Sequence, residues 1–205
     1  MSDQRTDREL LDAWAAGEKP AGAALFDRHF GALSRFFHNK AGDAADDLIQ
    51  RSLLACLEAR ERFEGKSSFR TFLFSIARNV LFDHYRARHR GPQAPDFGVS
   101  SIAEMAPSAS SLIAAAGRQR SLLEALRSVP LQFQIVLELA YWERLTAAEI
   151  GEIVGAPEGT VRTRLRRAKE LVGREMRRIE KLGIPLESTV AQLDDWAAEV
   201  RKGLA

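Results

Sequence analysis

One cysteine, Cys56, is all the thiol that this 205-residue chain carries. A lone thiol excludes an internal disulfide and a cysteine-built zinc site, and it fits a reducing compartment. Its neighbours Leu53, Leu54 and Leu57 mark it as a small core residue. Long apolar runs are missing too. None approaches the ~18 residues that span a bilayer. Residues 1–10 are polar and lack the apolar centre of a secretory signal. These absences predict a soluble, cytoplasmic protein. Strand-like alternation is nearly absent, whereas apolar residues recur at helical spacing almost everywhere, so the expected fold class is all-α. An excess of charge of one sign is also lacking. With 30 basic and 28 acidic residues the net charge is only +2, so attraction to a polyanion must come from how charge is distributed.

Signatures of catalysis are absent as well. His29, His38, His84 and His89 show no metal-ligand spacing with carboxylates or Cys56. No glycine-rich phosphate loop follows a strand, and there is no nucleophile elbow. The expectation is a non-enzyme with no cofactor and no metal.

What is present is 45% hydrophobic and 28% charged residues, enough for packed cores. Thr6 and Glu9 can form a capping box for a first helix. Leu25, Phe26, Phe30, Leu33, Phe36 and Phe37 give a second, aromatic-rich helix, broken by Gly42. Asp43 can cap a third helix with Leu48, Leu53, Leu54 and Leu57, broken by Gly65. Ser67 or Ser68 can cap a fourth that runs to about Arg90. Residues 91–111 hold Pro92, Pro95 and Pro107 among Ser and Ala, the composition of a flexible linker. Helical pattern resumes near Leu112 and breaks at Gly183-Ile184-Pro185. In the tail, Ser188 can cap a short helix whose apolar stripe is Val190, Leu193, Ala197, Val200 and Leu204, with an acidic side of Asp194, Asp195 and Glu199. The predicted organisation is two small helical domains, residues 1–90 and 118–180, joined by a linker over 91–117 and followed by a tail over 181–205.

The second domain carries a helix-turn-helix pattern. Thr146-Ala147-Ala148-Glu149 is a capping box, Ile150, Ile153 and Val154 give an apolar face, Gly155 suits the helix end, and Pro157 suits the next first turn. At 100° per residue, Val161, Leu165, Ala168 and Val172 of the second helix share one face. Arg162, Thr163, Arg166 and Arg167 lie opposite, flanked by Arg164 and Lys169. From Arg162 to Arg178 eight basic residues stand against Glu170 and Glu175. A solvated charged face is the bland reading. The imbalance directly after a turn signature favours DNA, where arginine reads guanine edges and neutralises phosphate.

The fourth helix carries two stripes. Phe69, Phe72, Leu73, Ile76 and Val80 read as core. Thr71, Phe74, Arg78, Phe82, Tyr85 and Arg86 interleave aromatics with arginines, which suits bases stacked out of a strand. A helix lying between two layers would bury both stripes, and for Phe74 and Phe82 the pattern leaves that open.

Two blocks of sequence resemble one family. Gly159-Thr160-Val161-Arg162-Thr163-Arg164-Leu165-Arg166-Arg167-Ala168 is similar to region 4 of sigma-70 family RNA polymerase sigma factors. Val129-Pro130 stands where that family usually has Leu-Pro, Gln134 replaces a usual Arg, and Gly151 a usual Ala. Phe63-Glu64-Gly65-Lys66-Ser67-Ser68-Phe69-Arg70-Thr71-Phe72-Leu73, with Ile76-Ala77-Arg78-Asn79, resembles regions 2.3 to 2.4, though the family often has Trp at the place of Phe72. Asp46-Asp47-Leu48-Ile49-Gln50 resembles region 2.2. The order of the blocks, and the lack of a middle sigma domain, point to the extracytoplasmic-function type. The resemblance implies a promoter-specificity subunit. Its partners would be core RNA polymerase, promoter DNA and an anti-sigma factor or other regulator. It implies −35 contacts from Thr160, Arg162, Thr163, Arg164, Arg166, Arg167 and Lys169. It implies −10 contacts from Lys66, Ser67, Ser68, Phe69, Arg70, Thr71, Phe72, Arg78, Asn79, Tyr85 and Arg86. Asp46, Asp47, Leu48 and Gln50 would dock on polymerase. The alternative is a helix-turn-helix regulator that binds its operator unaided.

Overall fold

The computed structural model describes residues 3–60, 63, 65–89, 95–105 and 118–180. The tail over 181–205, with its expected acidic helix, lies outside them, as does 106–117 of the linker. Among the described residues every regular element is helical: α1 (Asp7–Ala15), α2 (Lys19–Ala41), α3 (Ala45–Ala59), α4 (Phe69–Arg88), α5 (Ile102–Met105), α6 (Arg118–Ser128), α7 (Leu131–Tyr141), α8 (Ala147–Val154) and α9 (Glu158–Glu180). The protein is all-α, and none of these helices is long and apolar enough to cross a membrane.

Local chemistry sets most of the ends. The Thr6 hydroxyl accepts from the Glu9 amide while the Glu9 carboxylate accepts from the Thr6 amide, so two orphan donors of α1 are satisfied at once. Ser68 caps α4, accepting from the Thr71 amide at 3.1 Å. The expected cap at Asp43 does not form. Gly42 to Ala44 make a 3-10 turn, and α3 starts at Ala45 with no side-chain cap. Asp43, Asp46 and Asp47 still place negative charge at its amino end, where the helix dipole favours it.

α1, α2, α3 and α4 pack in sequence, each against the next, with α2 also touching α4. The aromatic content fills that core: Phe36 meets Phe37 and Phe74 edge-on, and Phe26 meets Trp14 and Phe69. α6, α7 and α8 all pack on α9. The described part of the linker is folded rather than loose. Phe97 stacks on Phe82 of α4 at 4.1 Å, Ile102 and Met105 are buried, and Ser101 bridges to Pro130.

The two groups of helices pack on each other, chiefly α4 on α8 and α2 on α6. Charged and polar side chains line that contact. Lys40 and Glu138 form an ion pair with exposures of 0% and 2%, so both charges have left water. Asn39 donates to Glu138 at 2.9 Å, and Gln134 donates to it at 2.7 Å. Arg127 reaches the Asn39 carbonyl at 2.9 Å, and Tyr85 donates to the Lys40 carbonyl. Beside this cluster the buried Glu143 accepts from Arg35 at 3.1 Å and pairs with Arg70. Burial drives Glu138 up and Lys40 down from their ordinary values, and the attraction between the two offsets part of each shift.

Candidate nucleic-acid interface

The helix-turn-helix is built as its sequence predicts. Thr146 and Glu149 close a capping box on α8, and Gly155 ends it in the left-handed conformation at φ 67°. Gly151, unusual for its place in the motif, has a steric reason: a Cβ there would sit 2.6 Å from the Ala156 carbonyl oxygen. That oxygen is pressed close because the Ala156 amide turns back to the Gly151 carbonyl at 2.9 Å. The tight turn sets the angle at which α9 leaves.

On α9 the inward face is Val161, Ala168, Val172, Met176 and Ile179, all buried. Thr160, Arg162, Thr163, Arg166 and Arg167 are exposed together on the other side. Arg162 is held by Glu158 one turn earlier and Arg167 by Glu170, both exposed pairs that hold little energy and break readily for phosphate. Lys169 lies over the Tyr141 ring at 5.1 Å, and Arg164 is turned toward α4. Such a helix offers several guanidinium forks along one side, the shape and charge that suit a major groove.

The α4 side is different. Lys66 and Asn79 are exposed, Ser67, Arg70, Phe72 and Arg78 are half-covered, and Arg86 is exposed. Ser68 is exposed but spends its hydroxyl on the cap. Phe72 lies beside Phe63, 4.7 Å between ring centres. Phe69, Thr71 and Tyr85 do not belong to this surface. They are 2%, 1% and 1% exposed, and the Tyr85 hydroxyl donates to the Lys40 carbonyl of α2. Burial pushes that phenol up to about 12. Phe74 and Phe82 are buried too. The physical reason is that α4 is sandwiched, with α2 and α3 on one side and α8 with the 95–98 segment on the other. Thr71, Phe74, Phe82 and Tyr85 of the stripe read as base-facing are therefore core, Arg78 and Arg86 are not, and Phe72, Ile76 and Val80, read as core, are only partly buried.

On α3, Asp46, Asp47 and Gln50 are exposed, and Leu54 and Leu57 present apolar surface at 56% and 42%. Leu48 is fully buried, so it supports this face from beneath and is not part of it.

The cluster around Lys40 and Glu138 was not anticipated from the sequence. One signal for it exists: Glu138 is the lone acid in the apolar run Ile135-Val136-Leu137-Glu138-Leu139, a place where a charge must find a buried partner.

Comparison with known proteins bears on both surfaces. The family profile for sigma-70 region 2 matches residues 25–91, which spans most of α2 through α4, and that for sigma-70 region 4 matches residues 119–172, which spans α6 to α9. The chain belongs to the sigma-70 family. This family member is 26% identical over 184 residues to the extracytoplasmic-function RNA polymerase sigma-E factor of Haemophilus influenzae, covering 84% of this chain and 96% of that one. It is 28% identical over 190 residues to the RNA polymerase sigma-H factor of Pseudomonas aeruginosa, covering 86% and 96%. Among solved structures its fold matches the sigma factor RpoE of Bartonella quintana, crystallised with the anti-sigma factor NepR. The TM-score is 0.60 at 22% identity, over 74% of this chain and 94% of that one. The sigma factor's region 4 is thus the group around α9, and its region 2 the group around α4.

Proposed function

We propose that this chain is a sigma subunit of the extracytoplasmic-function type, which binds core RNA polymerase in the cytoplasm and directs it to promoters. The observation that carries the reading is the pairing of two family regions, one ending in a helix with an exposed guanidinium row and the other carrying a half-covered basic helix. Thr160, Arg162, Thr163, Arg166, Arg167 and Lys169 read and hold the −35 element, with Arg164 joining when it leaves α4. Lys66, Ser67, Ser68, Arg70, Phe72, Arg78, Asn79 and Arg86 engage the −10 non-template strand. Asp46, Asp47 and Gln50, with Leu54 and Leu57, dock on polymerase. The chain performs no catalysis of its own in this role, and an anti-sigma protein is a fitting regulator. The units over 1–90 and 118–180 act as the two reading heads, joined by 91–117.

Geometry adds a requirement. The two elements lie about 25 base pairs apart, or about 85 Å at 3.4 Å per pair. With α4 against α8, both cannot be engaged at once. Fully extended, the stretch between Arg88 and Arg118 can reach roughly 95 Å. The heads must part, and the linker must peel off α4, when polymerase is bound.

The test is co-elution. The chain mixed with core polymerase should elute with it and direct initiation from specific genomic fragments. Tight, sequence-specific binding to DNA without polymerase, and no co-elution, would instead identify a free-standing helix-turn-helix regulator.

A further inference from the structure

Where α4 meets the region 4 helices lies a half-open cavity of about 340 Å³. Arg78 and Arg86 of α4 and Arg164 of α9 line it, with the Gln132 amide alongside. Asp96 is the one carboxylate on the wall among the described residues, and its Oδ1 already accepts the Gly98 amide at 2.8 Å. Arg86 shares part of its charge with Asp83 at 3.1 Å. Arg78 pairs with no carboxylate among the described residues: it lies over the Phe82 ring at 4.3 Å and donates to Asn79 at 3.3 Å. Burial, and then the like charges of Arg164 and Arg86, hold its guanidinium below its usual basicity. The stacked pair Phe82 and Phe97 makes the floor rigid and apolar.

A half-buried guanidinium facing two others is costly without a counter-charge. Planar donor forks from two helices converging on a small space match the oxygens of a phosphate group, which arginine binds in bidentate fashion. The volume lies at the low end of small-ligand sites.

We propose that this interdomain cavity is a binding site for a small phosphoanhydride anion, pyrophosphate itself or the polyphosphate of a nucleotide. The site exists only while α4 and α9 are together, because neither helix alone supplies the three arginines. Its ligand therefore stabilises the closed arrangement by mass action and opposes separation of the heads. That last consequence rests on the sigma reading; the site does not.

Sodium pyrophosphate is titrated into the full chain at constant ionic strength, without polymerase or DNA, and binding is followed by calorimetry and by melting temperature. One saturable site is expected, weakened about tenfold or more in Arg78→Gln and in Arg164→Gln, each losing a charge-assisted contact. Arg86→Gln, at the exposed rim, should weaken it several-fold and serves if the first two fold poorly. Arg177→Gln with Arg178→Gln, on exposed α9 surface away from the cavity, should leave it unchanged. A second titration with GTP identifies the source: equal or tighter binding points to nucleotides, and binding of pyrophosphate alone to the free anion. No saturable binding below millimolar, or equal losses in the Arg177/Arg178 variant, overturns the site. Either failure leaves co-elution with polymerase untouched.

Discussion

The two basic helices of this sigma factor present their charge in opposite ways. On α9 Arg162, Arg166 and Arg167 stand together on an exposed side, Arg162 and Arg167 in exposed pairs with Glu158 and Glu170. On α4 the arginines are interleaved with rings that are buried, and Arg78 faces Arg164 across a cavity. The difference comes from layering. α9 covers one face of a small bundle, whereas α4 lies between two. Under the proposed assignment the −35 head is ready in the free chain and the −10 head is half-covered, and release of α4 is then the step that polymerase drives.

The largest way to break that contrast is to remove the polar contact that closes it. Lys40→Met leaves Glu138 buried without its partner and should cost about 3–5 kcal/mol in chemical denaturation. Lys40→Met with Glu138→Leu should recover most of this, because no charge is then stranded. A loss below about 1 kcal/mol in the single variant would mean that α2 and α7 do not meet in solution.

Next in size is the exposed head. Arg166→Ala should cost about 1–3 kcal/mol at promoters and relax preference at one −35 position. A uniform loss across promoters would reduce Arg166 to a phosphate contact. Asp47→Arg should weaken association with core polymerase about tenfold, equivalent to about 1.4 kcal/mol, with helical content by circular dichroism unchanged. Wild-type affinity would remove α3 from the docking face.

The smallest effect sharpens the comparison by separating opening from unfolding. Cys56 is buried on α3, and burial pushes its thiol up to about 12. At pH 8 it should resist alkylation in the native chain and react fully in denaturant. The rate should not rise in the Lys40→Met variant if the heads part as intact units.

Local chemistry was the legible part of this fold. The capping boxes at Thr6 and Thr146, the cap at Ser68 and the left-handed Gly155 are short-range patterns whose outcome depends on a few neighbouring residues. The exposed row on α9 was equally readable, since one apolar face implies one free face. Two-sided burial was not. Tyr85 and Phe82 look amphipathic on a wheel, and only the Lys40 carbonyl of α2 above the one and the Phe97 ring on the other show why they are covered. Leu48 was assigned to the docking face with its run, although its helical phase turns it inward. The Lys40 and Glu138 pair joins residues 98 positions apart, and periodicity carries no information on such partners.

The direct test is a distance. Donor and acceptor dyes at Asp83 on α4 and Glu152 on α8, both exposed, are read in a Cys56→Ser chain by energy transfer. High transfer is expected in the free chain, with the heads in contact. On binding core polymerase and promoter DNA it should collapse, as the separation approaches the about 85 Å between elements. Transfer unchanged in a transcriptionally active complex would contradict the account.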